Sequence, residues 1–162
     1  MVKSKILVID DDLKILRLIK NILEKNSYVV ETRNSVEDIN LCDFIGFDLI
    51  LLDIMMPVSG IDICSSIRSQ IQTPIIFITA KNLEEDLVEA IGIGADDFIT
   101  KPYNPTILLL RIQNVFKRLN QIKDKIKYRD LIVYQNKGTL VKNQETIELT
   151  KNEMIIFLYL LT

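Results

Sequence analysis

Histidine is absent from the 162 residues, and cysteine, proline and glycine occur only two, four and five times. Without histidine, the chain has neither a histidine general base nor a histidine–zinc site. The two cysteines, Cys42 and Cys64, stand apart among apolar neighbours, so we expect reduced core residues rather than a disulfide or a metal site. No apolar run is long enough to cross a bilayer and no signal-peptide pattern opens the chain, which predicts a cytoplasmic protein without a membrane partner.

An excess of charge of one sign is also missing. The chain has 20 Lys and Arg against 22 Asp and Glu residues, and the net charge of −2 gives no overall attraction to nucleic acid. Basic side chains concentrate between residues 117 and 129, where a solvated helix end and linker is the simpler interpretation and contact with DNA phosphates is the alternative. With 48% apolar residues, the chain can form one full domain and the start of a second.

Strands and helices alternate five times between residues 1 and 118. Short apolar runs indicate strands near 5–9, 28–31, 49–52, 74–79 and 98–100. Helical periodicity indicates helices after Asp12 and after Gly60, and near 36–44, 84–93 and 105–118. This alternation predicts right-handed crossovers and a doubly wound (βα)5 domain of the α/β class.

From Tyr128 the apolar residues follow a period of two. Alternation near 131–133, 140–142 and 146–149, with turns at 136–138 and 143–144, predicts three short strands. Thr150 and Glu153 have the spacing of a capping box in front of an apolar helix that extends from Met154 to Leu161. Three short strands and one helix cannot bury a core of their own, so we expect this second domain to be incomplete.

Four strands of the first domain end on residues suited to a phosphoryl group. Asp10 and Asp11 follow the first strand, Asp53 ends the third, Thr79 ends the fourth and Lys101 ends the fifth. Because the carboxyl ends of parallel strands meet at the edge where α/β proteins bind ligands, we expect these side chains to converge. Each residue alone is a weak signal, and the acidic run after the first strand could simply cap a helix. Together they predict a magnesium and phosphoryl site.

The chemistry of such a site is phosphoryl transfer to an aspartate. A carboxylate is a nucleophile that can form an acyl phosphate, and Mg²⁺ neutralises the charges that this transfer brings together. Lys101 supplies a compact, mobile cation and Thr79 a hydrogen-bond donor. Because the chain has no histidine, any phosphohistidine donor has to be a different protein.

At these residues the chain resembles the receiver domain of two-component response regulators. The matching segments are Ile6–Asp12, Leu51–Pro57, Ile78–Lys81 and Gly94–Tyr103. The resemblance covers residues 3 to about 120. It implies a flavodoxin-like fold with the parallel strand order 2-1-3-4-5 and a cis Lys101–Pro102 peptide bond.

The resemblance also implies a role for each residue at the sheet edge. Asp53 would be the phosphoacceptor, and Lys101 and Thr79 would bind the phosphoryl group. Mg²⁺ or Mn²⁺ would be held by four groups, namely Asp10, Asp11, Asp53 and the backbone carbonyl of Met55. Thr79 and Phe98 would form the switch, and Phe98, which lacks the hydroxyl of the usual tyrosine, would act through packing alone.

Members of this family usually dimerise through the face formed by the fourth helix, the fifth strand and the fifth helix. The residues at that face here are Leu87, Val88, Ile91, Asp96, Asp97, Ile107, Leu109, Arg111 and Arg118. Asp97 with Arg111 and Asp96 with Arg118 match two ion pairs of the family. Leu87 and Ile107 stand where a third pair would be, so we expect a more apolar and less salt-sensitive dimer face.

Residues 129–162 resemble the start of the winged-helix DNA-binding domain of the OmpR/PhoB class, through Asp130–Val133 and Ile147–Glu153. The implied organisation is a receiver domain over 1–120, a linker over 121–128 and an incomplete winged-helix domain over 129–162. Within this class, the segments 46–56 and 86–101 are most similar to regulators of lantibiotic biosynthesis and immunity.

The leading hypothesis is a response regulator with no enzyme activity beyond its own phosphorylation and dephosphorylation. Its partners would be a sensor histidine kinase, a second phosphorylated copy and, in the intact protein, DNA, although we do not expect this chain alone to read an operator. One alternative is a stand-alone receiver that acts through protein contacts. Another is a magnesium-dependent aspartyl phosphatase, whose nucleophile lies in an Asp-x-Asp loop that Asp10 and Asp11 do not continue.

Overall fold

The computed structural model describes residues 3–36, 38–80, 92–135, 137–143 and 145–161. The chain divides into two compact units, residues 1–115 and 116–162. Within the described ranges, no helix is both long and apolar enough to cross a membrane.

The first unit contains a five-stranded parallel sheet in the order β2-β1-β3-β4-β5. Its strands are β1 (Lys5–Ile9), β2 (Val29–Arg33), β3 (Leu49–Asp53), β4 (Ile75–Ala80) and β5 (Asp97–Lys101). The predicted flavodoxin-like topology is confirmed. Strand β2 extends to Arg33, two residues further than predicted, because Thr32 and Arg33 continue the pairing with Val8 and Ile9.

The central strands are apolar except at their ends because both faces of the sheet are covered. All five residues of β3 and four of the five residues of β1 are buried. The register pairs Asp53 with Ile78 and Thr79 with Thr100, so β3, β4 and β5 end side by side. This alignment brings the polar residues at the strand ends to one edge.

Three described helices accompany this sheet, and polar side chains cap each of them. Asp12 accepts a hydrogen bond from the N–H of Lys14 at 2.7 Å and starts α1 (Leu13–Lys25). Ser59 caps α2 (Gly60–Arg68) in the same way. Asn104 accepts from the N–H of Thr106 at 2.8 Å at the start of α3 (Pro105–Asp124). The sequence predicted the caps at Asp12 and Asn104, because side chains of this type satisfy N–H groups that lack a partner inside the helix, but it did not predict the cap at Ser59.

The predicted helix over 36–44 is not formed in the described residues. A 3₁₀ helix, Leu41–Phe44, is present instead, and residue 37 lies outside the described part of the chain. Phe44 is buried and Cys42 is exposed in this short turn, so the expectation that Cys42 is a core residue was wrong. Cys64 is buried as expected, and both thiols are free.

The predicted helix over 84–93 falls largely on residues 81–91, which lie outside the described residues. Gly92 and Ile93 are helical, and Gly94 follows with a φ of 99°. A left-handed glycine is typical of the residue that follows the end of a helix, which agrees with the predicted stop.

The second unit contains a four-stranded antiparallel sheet in the order β6-β7-β8-β9. Its elements are β6 (Lys125–Tyr128), β7 (Leu131–Tyr134), β8 (Thr139–Lys142), β9 (Glu145–Glu148) and α4 (Lys151–Leu161). The predicted capping box is confirmed, since the N–H of Thr150 donates to the Glu153 carboxylate at 2.8 Å and the Thr150 hydroxyl accepts from the N–H of Glu153 at 3.4 Å. An antiparallel sheet followed by a helix is the expected start of a winged-helix domain.

The prediction missed one strand of this sheet. Residues 121–128, expected to form a linker, contain the end of α3 and strand β6. The lysines at 125 and 127 suggested a solvated segment, but they flank Ile126, which pairs with Val133 of β7. Ile126 then packs against the small core of Val133, Leu140 and Met154, so a single inward side chain is sufficient to hold this strand.

Candidate functional site

The ends of the parallel strands bring two buried carboxylates and one ammonium group into direct contact. The Nζ atom of Lys101 lies 2.8 Å from Oδ2 of Asp10 and 2.7 Å from Oδ2 of Asp53. The Asp10 side chain is fully buried and that of Asp53 is 5% exposed, whereas Lys101 is 25% exposed. One ammonium group therefore makes a charge-assisted hydrogen bond to each of two carboxylates inside the fold.

Backbone N–H groups hold the second oxygen of each carboxylate. Oδ1 of Asp10 accepts from the N–H of Asp12 at 2.9 Å, and Oδ1 of Asp53 accepts from the N–H of Met55 at 3.2 Å. Both donors lie two residues further along the chain, in the turns that leave β1 and β3. The turns therefore fix the orientation of the carboxylates toward Lys101.

A third carboxylate completes an acidic cluster. Oxygen atoms of Asp10, Asp11 and Asp53 all lie within 4.8 Å of one another, and Asp11 is exposed while the other two are buried. Carboxylate oxygens are the ligands preferred by small divalent cations such as Mg²⁺, which keep several waters of hydration on their open side. The donor set, with one face toward solvent, can therefore bind such a metal ion.

Burial and pairing have opposite effects on the pKa values at this site. Burial raises the pKa of Asp53 above its ordinary value of 3.8, although the hydrogen bond and charge of Lys101 act against that rise. Burial lowers the pKa of Lys101, but the hydrogen bonds to Asp10 and Asp53 outweigh this effect, and the pKa is raised above 10.5. Lys101 is therefore cationic at neutral pH, and Asp53 is a less acidic, more basic carboxylate than usual.

Thr79 lies on β4, the strand next to that of Asp53, and Phe98 lies on β5, one strand further out. Thr79 is buried on β4, and its hydroxyl donates to the carbonyl oxygen of Ala80 at 3.3 Å. Phe98 on β5 is partly buried against the main core, and the Arg111 guanidinium lies 5.8 Å from the centre of its ring. Of the two predicted switch residues, Thr79 thus lies near the carboxyl end of β4, whereas Phe98 lies near the start of β5 and pairs with Phe77.

A family model described as the response regulator receiver domain matches residues 6–113. The chain belongs to the response regulator family. Its receiver domain carries the acidic cluster and Lys101 at the strand ends, where the resemblance in sequence placed them.

The relatives of this receiver are transcriptional regulators of the OmpR/PhoB type. The nisin biosynthesis regulatory protein NisR of Lactococcus lactis subsp. lactis is 42% identical over 92% of this chain and 69% of its own length. The transcriptional regulatory protein SpaR of Bacillus subtilis is 38% identical over 93% of this chain and 70% of its own length. The crystal structure of DrrB, an OmpR/PhoB homolog from Thermotoga maritima, has 34% identity, covers 98% of this chain and 72% of that chain, and gives a TM-score of 0.65.

The loop after β3 packs closely against the receiver's central aspartate. A Cβ atom added to Gly60 would overlap the backbone carbonyl oxygen of Asp53 and would lie 2.9 Å from its carbonyl carbon. The N–H of Gly60 also donates to the carbonyl of Ile54 at 3.1 Å. This role of Gly60 was not predicted, because a glycine next to a helix start is common and the sequence pattern does not reveal its tertiary contact.

Two of the acidic residues predicted for the dimer face of the receiver are paired within the chain. Oδ1 of Asp97 accepts from Arg111 at 2.8 Å, so this ion pair is closed inside one molecule. Oδ2 of Asp96 accepts from Arg68 at 2.7 Å and from the N–H of Ile75 at 3.0 Å. The expected pairing across a dimer would therefore require these contacts to rearrange.

The residues predicted for the dimer face do not all lie on one side of α3. Leu87, Val88 and Ile91 lie outside the described residues. On α3, Ile107, Arg111 and Arg118 follow a spacing of four and seven residues and lie on one side of the helix. Leu109 is two residues from both Ile107 and Arg111, which places it about 200° around the helix, so it belongs to a different side.

The receiver's second aromatic residue near the site, Tyr103, was not predicted. Its hydroxyl is buried and has no hydrogen-bond partner among the described residues. It follows the cis Lys101–Pro102 bond, which the resemblance had implied. The sequence contained one signal for this position, since a tyrosine two residues after a site lysine is held near that lysine.

Proposed function

We propose that Asp53 accepts a phosphoryl group from a partner sensor histidine kinase. The observation that carries this proposal is the position of the Lys101 ammonium, which contacts two buried carboxylates at 2.7 and 2.8 Å beside the exposed Asp11. A cation held this way is available to an incoming phosphoryl oxygen, and the raised pKa of Asp53 favours nucleophilic attack by its carboxylate.

The transfer itself breaks one bond and forms one. A carboxylate oxygen of Asp53 attacks the phosphorus, the P–N bond of the donor phosphohistidine breaks, and its electron pair remains on the imidazole, which takes up a proton. Lys101 and the Thr79 hydroxyl then bind phosphoryl oxygens, which spreads the new negative charge over two donors. The chain contains no histidine, so the donor has to be supplied by another protein.

The metal in this proposal is Mg²⁺ or Mn²⁺, which the carboxylates of Asp10, Asp11 and Asp53 would hold together with the backbone carbonyl of Met55. When bound, the ion neutralises the negative charge that gathers between carboxylate and phosphoryl group. The exposed Asp11 and the exposed Met55 lie on the solvent side of the cluster, where ion and donor can enter.

The output of the switch is proposed to be dimerisation. Phosphorylation draws Thr79 toward Asp53, Phe98 follows by packing, and the face with Ile107, Arg111 and Arg118 pairs with a second copy. Ile107 is 47% exposed on α3, which suits an apolar contact between copies. The Asp97–Arg111 pair then exchanges its partner within the chain for one across the dimer.

The wider role is proposed to be transcriptional regulation in the cytoplasm by a receiver over 1–120 joined to a winged-helix domain that begins near 129. The antiparallel sheet and helix of the second unit and the similarity to NisR, SpaR and DrrB support this assignment. The similarity to a nisin biosynthesis regulatory protein supports a regulator of the lantibiotic biosynthesis and immunity type. DNA binding belongs to the longer protein, because the described strands and helix do not include a recognition helix and wing.

Intact mass after incubation with Mg²⁺ and acetyl phosphate tests the phosphoacceptor. We expect one phosphate adduct on the wild-type chain, none on Asp53→Asn, and a normal adduct on the control Asp62→Asn, whose carboxylate is exposed on α2. An adduct of equal yield on Asp53→Asn would contradict the assignment. Omission of Mg²⁺ is expected to abolish the adduct on every variant.

Size-exclusion chromatography with Mg²⁺ and beryllofluoride, a stable mimic of the phosphoryl group, tests the dimer face. We expect wild-type chain to elute as a dimer and Ile107→Glu as a monomer, because a carboxylate placed in an apolar contact must be desolvated. Leu18→Glu, at a similarly exposed leucine on α1, is the matched control and should still dimerise. Dimerisation of Ile107→Glu at the wild-type concentration would rule out this face.

A further inference from the structure

Tyr103 carries a buried hydroxyl without a hydrogen-bond partner in the part of the chain that the structure describes. Buried polar groups are almost always paired, because leaving a donor unsatisfied forfeits the hydrogen bond it made to water. An unpaired hydroxyl therefore suggests an acceptor that is present in another state of the protein. Packing alone does not require this hydroxyl, because the ring of a phenylalanine would pack equally well.

The charges that act on this hydroxyl are those of the acidic site. Burial raises the pKa of Tyr103 to about 12, the Lys101 ammonium lowers it, and the carboxylates of Asp10 and Asp53 raise it further. Of the two carboxylates, Asp10 has the larger effect. Together with its position two residues after Lys101, this places the hydroxyl within the electric field of the site rather than in a neutral part of the core.

The hydrogen bonds of Asp10 leave room for one more donor once Lys101 moves. Oδ1 of Asp10 accepts from the N–H of Asp12, and Oδ2 accepts from Lys101 alone among the hydrogen bonds of the described residues. A phosphoryl group on Asp53 competes for the same ammonium, because Lys101 also contacts Oδ2 of Asp53 at 2.7 Å. Asp10 is fully buried, so water does not readily replace that donor, and a carboxylate that would also face Mg²⁺ keeps a further lone pair for a hydroxyl donor.

We infer that Tyr103 is a positioning residue whose hydroxyl donates a hydrogen bond to the Asp10 carboxylate when Lys101 turns toward a phosphoryl group on Asp53. This inference rests on the proposed function of Asp53. The hydroxyl has no hydrogen bond while Asp53 is free and gains one when Asp53 carries a phosphoryl group, which we call the loaded state. This hydrogen bond therefore lowers the free energy of the loaded state relative to the unloaded state. Tyr103 does not touch the transferred group and acts through Asp10.

Tyr103→Phe removes the hydroxyl and keeps the ring, so it separates the two contributions of this side chain. We expect the unloaded variant to be at least as stable to heat as the wild-type chain, because the lost group had no partner. We expect its affinity for beryllofluoride in the presence of Mg²⁺ to fall about fivefold, the effect of one ordinary hydrogen bond. Tyr134→Phe makes the same chemical change on β7 and should alter neither measurement.

Titration calorimetry and thermal unfolding of the full chain, with Mg²⁺ alone and with Mg²⁺ and beryllofluoride, give both readouts. Equal beryllofluoride affinity for wild type and Tyr103→Phe would overturn the inference. Equal loss of thermal stability in the unloaded and loaded states would also overturn it, since it would indicate a purely structural role. If the wild-type chain itself failed to bind beryllofluoride, the proposed function of Asp53 would fail, and the role given to Tyr103 would fail with it.

Discussion

The two sheets of this protein differ in how completely they are covered. Every residue of β3 in the first unit is buried, whereas every residue of β9 in the second is exposed. The parallel sheet has a core on both faces, while the described core of the antiparallel sheet consists of Val133, Leu140 and Met154 with partly buried neighbours. In this protein two carboxylates at the edge of the doubly covered sheet are buried, whereas the second sheet has a face exposed to water.

The same difference extends to the helices and the ion pairs. Helix α4 of the second unit exposes apolar side chains, with Leu160 75% exposed and Ile156 60% exposed. The pair of Lys142 and Asp130 in this unit is about half exposed at both ends, with a distance of 3.4 Å. The Lys101 pairs of the first unit are closed at 2.7 and 2.8 Å around two buried carboxylates. The functional site thus lies where the fold excludes water, and electrostatic interactions between charged groups are stronger there than at the surface.

The largest expected contrast is in the cores. Leu51→Ala in β3, at a fully buried side chain, should lower the free energy of unfolding by about 3–4 kcal/mol. Leu140→Ala in β8, at a smaller core, should lower it by about 1–2 kcal/mol. Urea unfolding followed by circular dichroism measures both values. An equal loss in the free energy of unfolding for the two variants would mean that the second unit buries Leu140 as completely as the first buries Leu51.

Substitution of one paired lysine in each unit, Lys101 or Lys142, tests how much the buried and the exposed ion pairs contribute to stability. Lys101→Met leaves two buried carboxylates without their cation and should cost about 3 kcal/mol of stability. Lys142→Met breaks an exposed pair and should cost less than about 0.5 kcal/mol.

Magnesium distinguishes these two lysine variants further. Because a divalent cation restores the charge balance of the acidic cluster, we expect Mg²⁺ to recover part of the stability that Lys101→Met loses, in thermal unfolding with and without the ion. Lys142→Met should not respond. A Lys101→Met variant as stable as wild type without Mg²⁺ would contradict the assigned role of the ammonium.

Glycine substitutions compare the close backbone contacts of the two units. Gly60→Ala places a Cβ against the backbone carbonyl of Asp53 and should cost about 2 kcal/mol, with slower phosphorylation of the displaced carboxylate. Gly138→Ala, at a φ of 65° and with the carbonyl oxygen of Leu149 2.9 Å from the new Cβ, should cost about 1 kcal/mol and leave phosphorylation unchanged. Phosphorylation rates equal for the two variants would remove the link between Gly60 and the site.

The smallest expected effect is a change in the pH dependence of stability. Because burial raises the pKa of Asp53, its carboxyl group stays protonated to a higher pH in the folded state than in the unfolded state. The protonated carboxyl therefore stabilises the folded state at low pH, and this stabilisation is lost as the pH rises from 3.8 through the raised pKa. Asp53→Asn lacks this loss, so its stability relative to wild type in the absence of Mg²⁺ should increase across that window and then level off. A difference that stays constant with pH would contradict the raised pKa.

Much of the candidate site was predictable because strand direction and strand period are local properties. An apolar run that ends on Asp10, Asp53, Thr79 or Lys101 places that residue at the carboxyl end of its strand, and parallel pairing then brings the ends together. The helix caps at Asp12, Asn104 and Thr150 were predictable for the same reason, since a cap depends on residues two or three positions away.

Contacts between distant segments were not predictable. The exposure of Cys42, the strand around Ile126 and the closeness of Gly60 to Asp53 depend on which surfaces meet after the chain has folded. The pairing of Asp97 with Arg111 inside the chain is a further case, because their spacing alone fits a contact within one molecule or between two.

The sequence by itself therefore determined the order of the elements and the strand ends that carry the acidic residues, and it contains no histidine. Tertiary structure decided how those residues share charge, with one ammonium between two buried carboxylates, and it buried the Tyr103 hydroxyl without a hydrogen-bond partner in the described part of the chain. The physical reason is that periodicity fixes the direction of a side chain, whereas hydrogen bonding and desolvation depend on every group that packs around it.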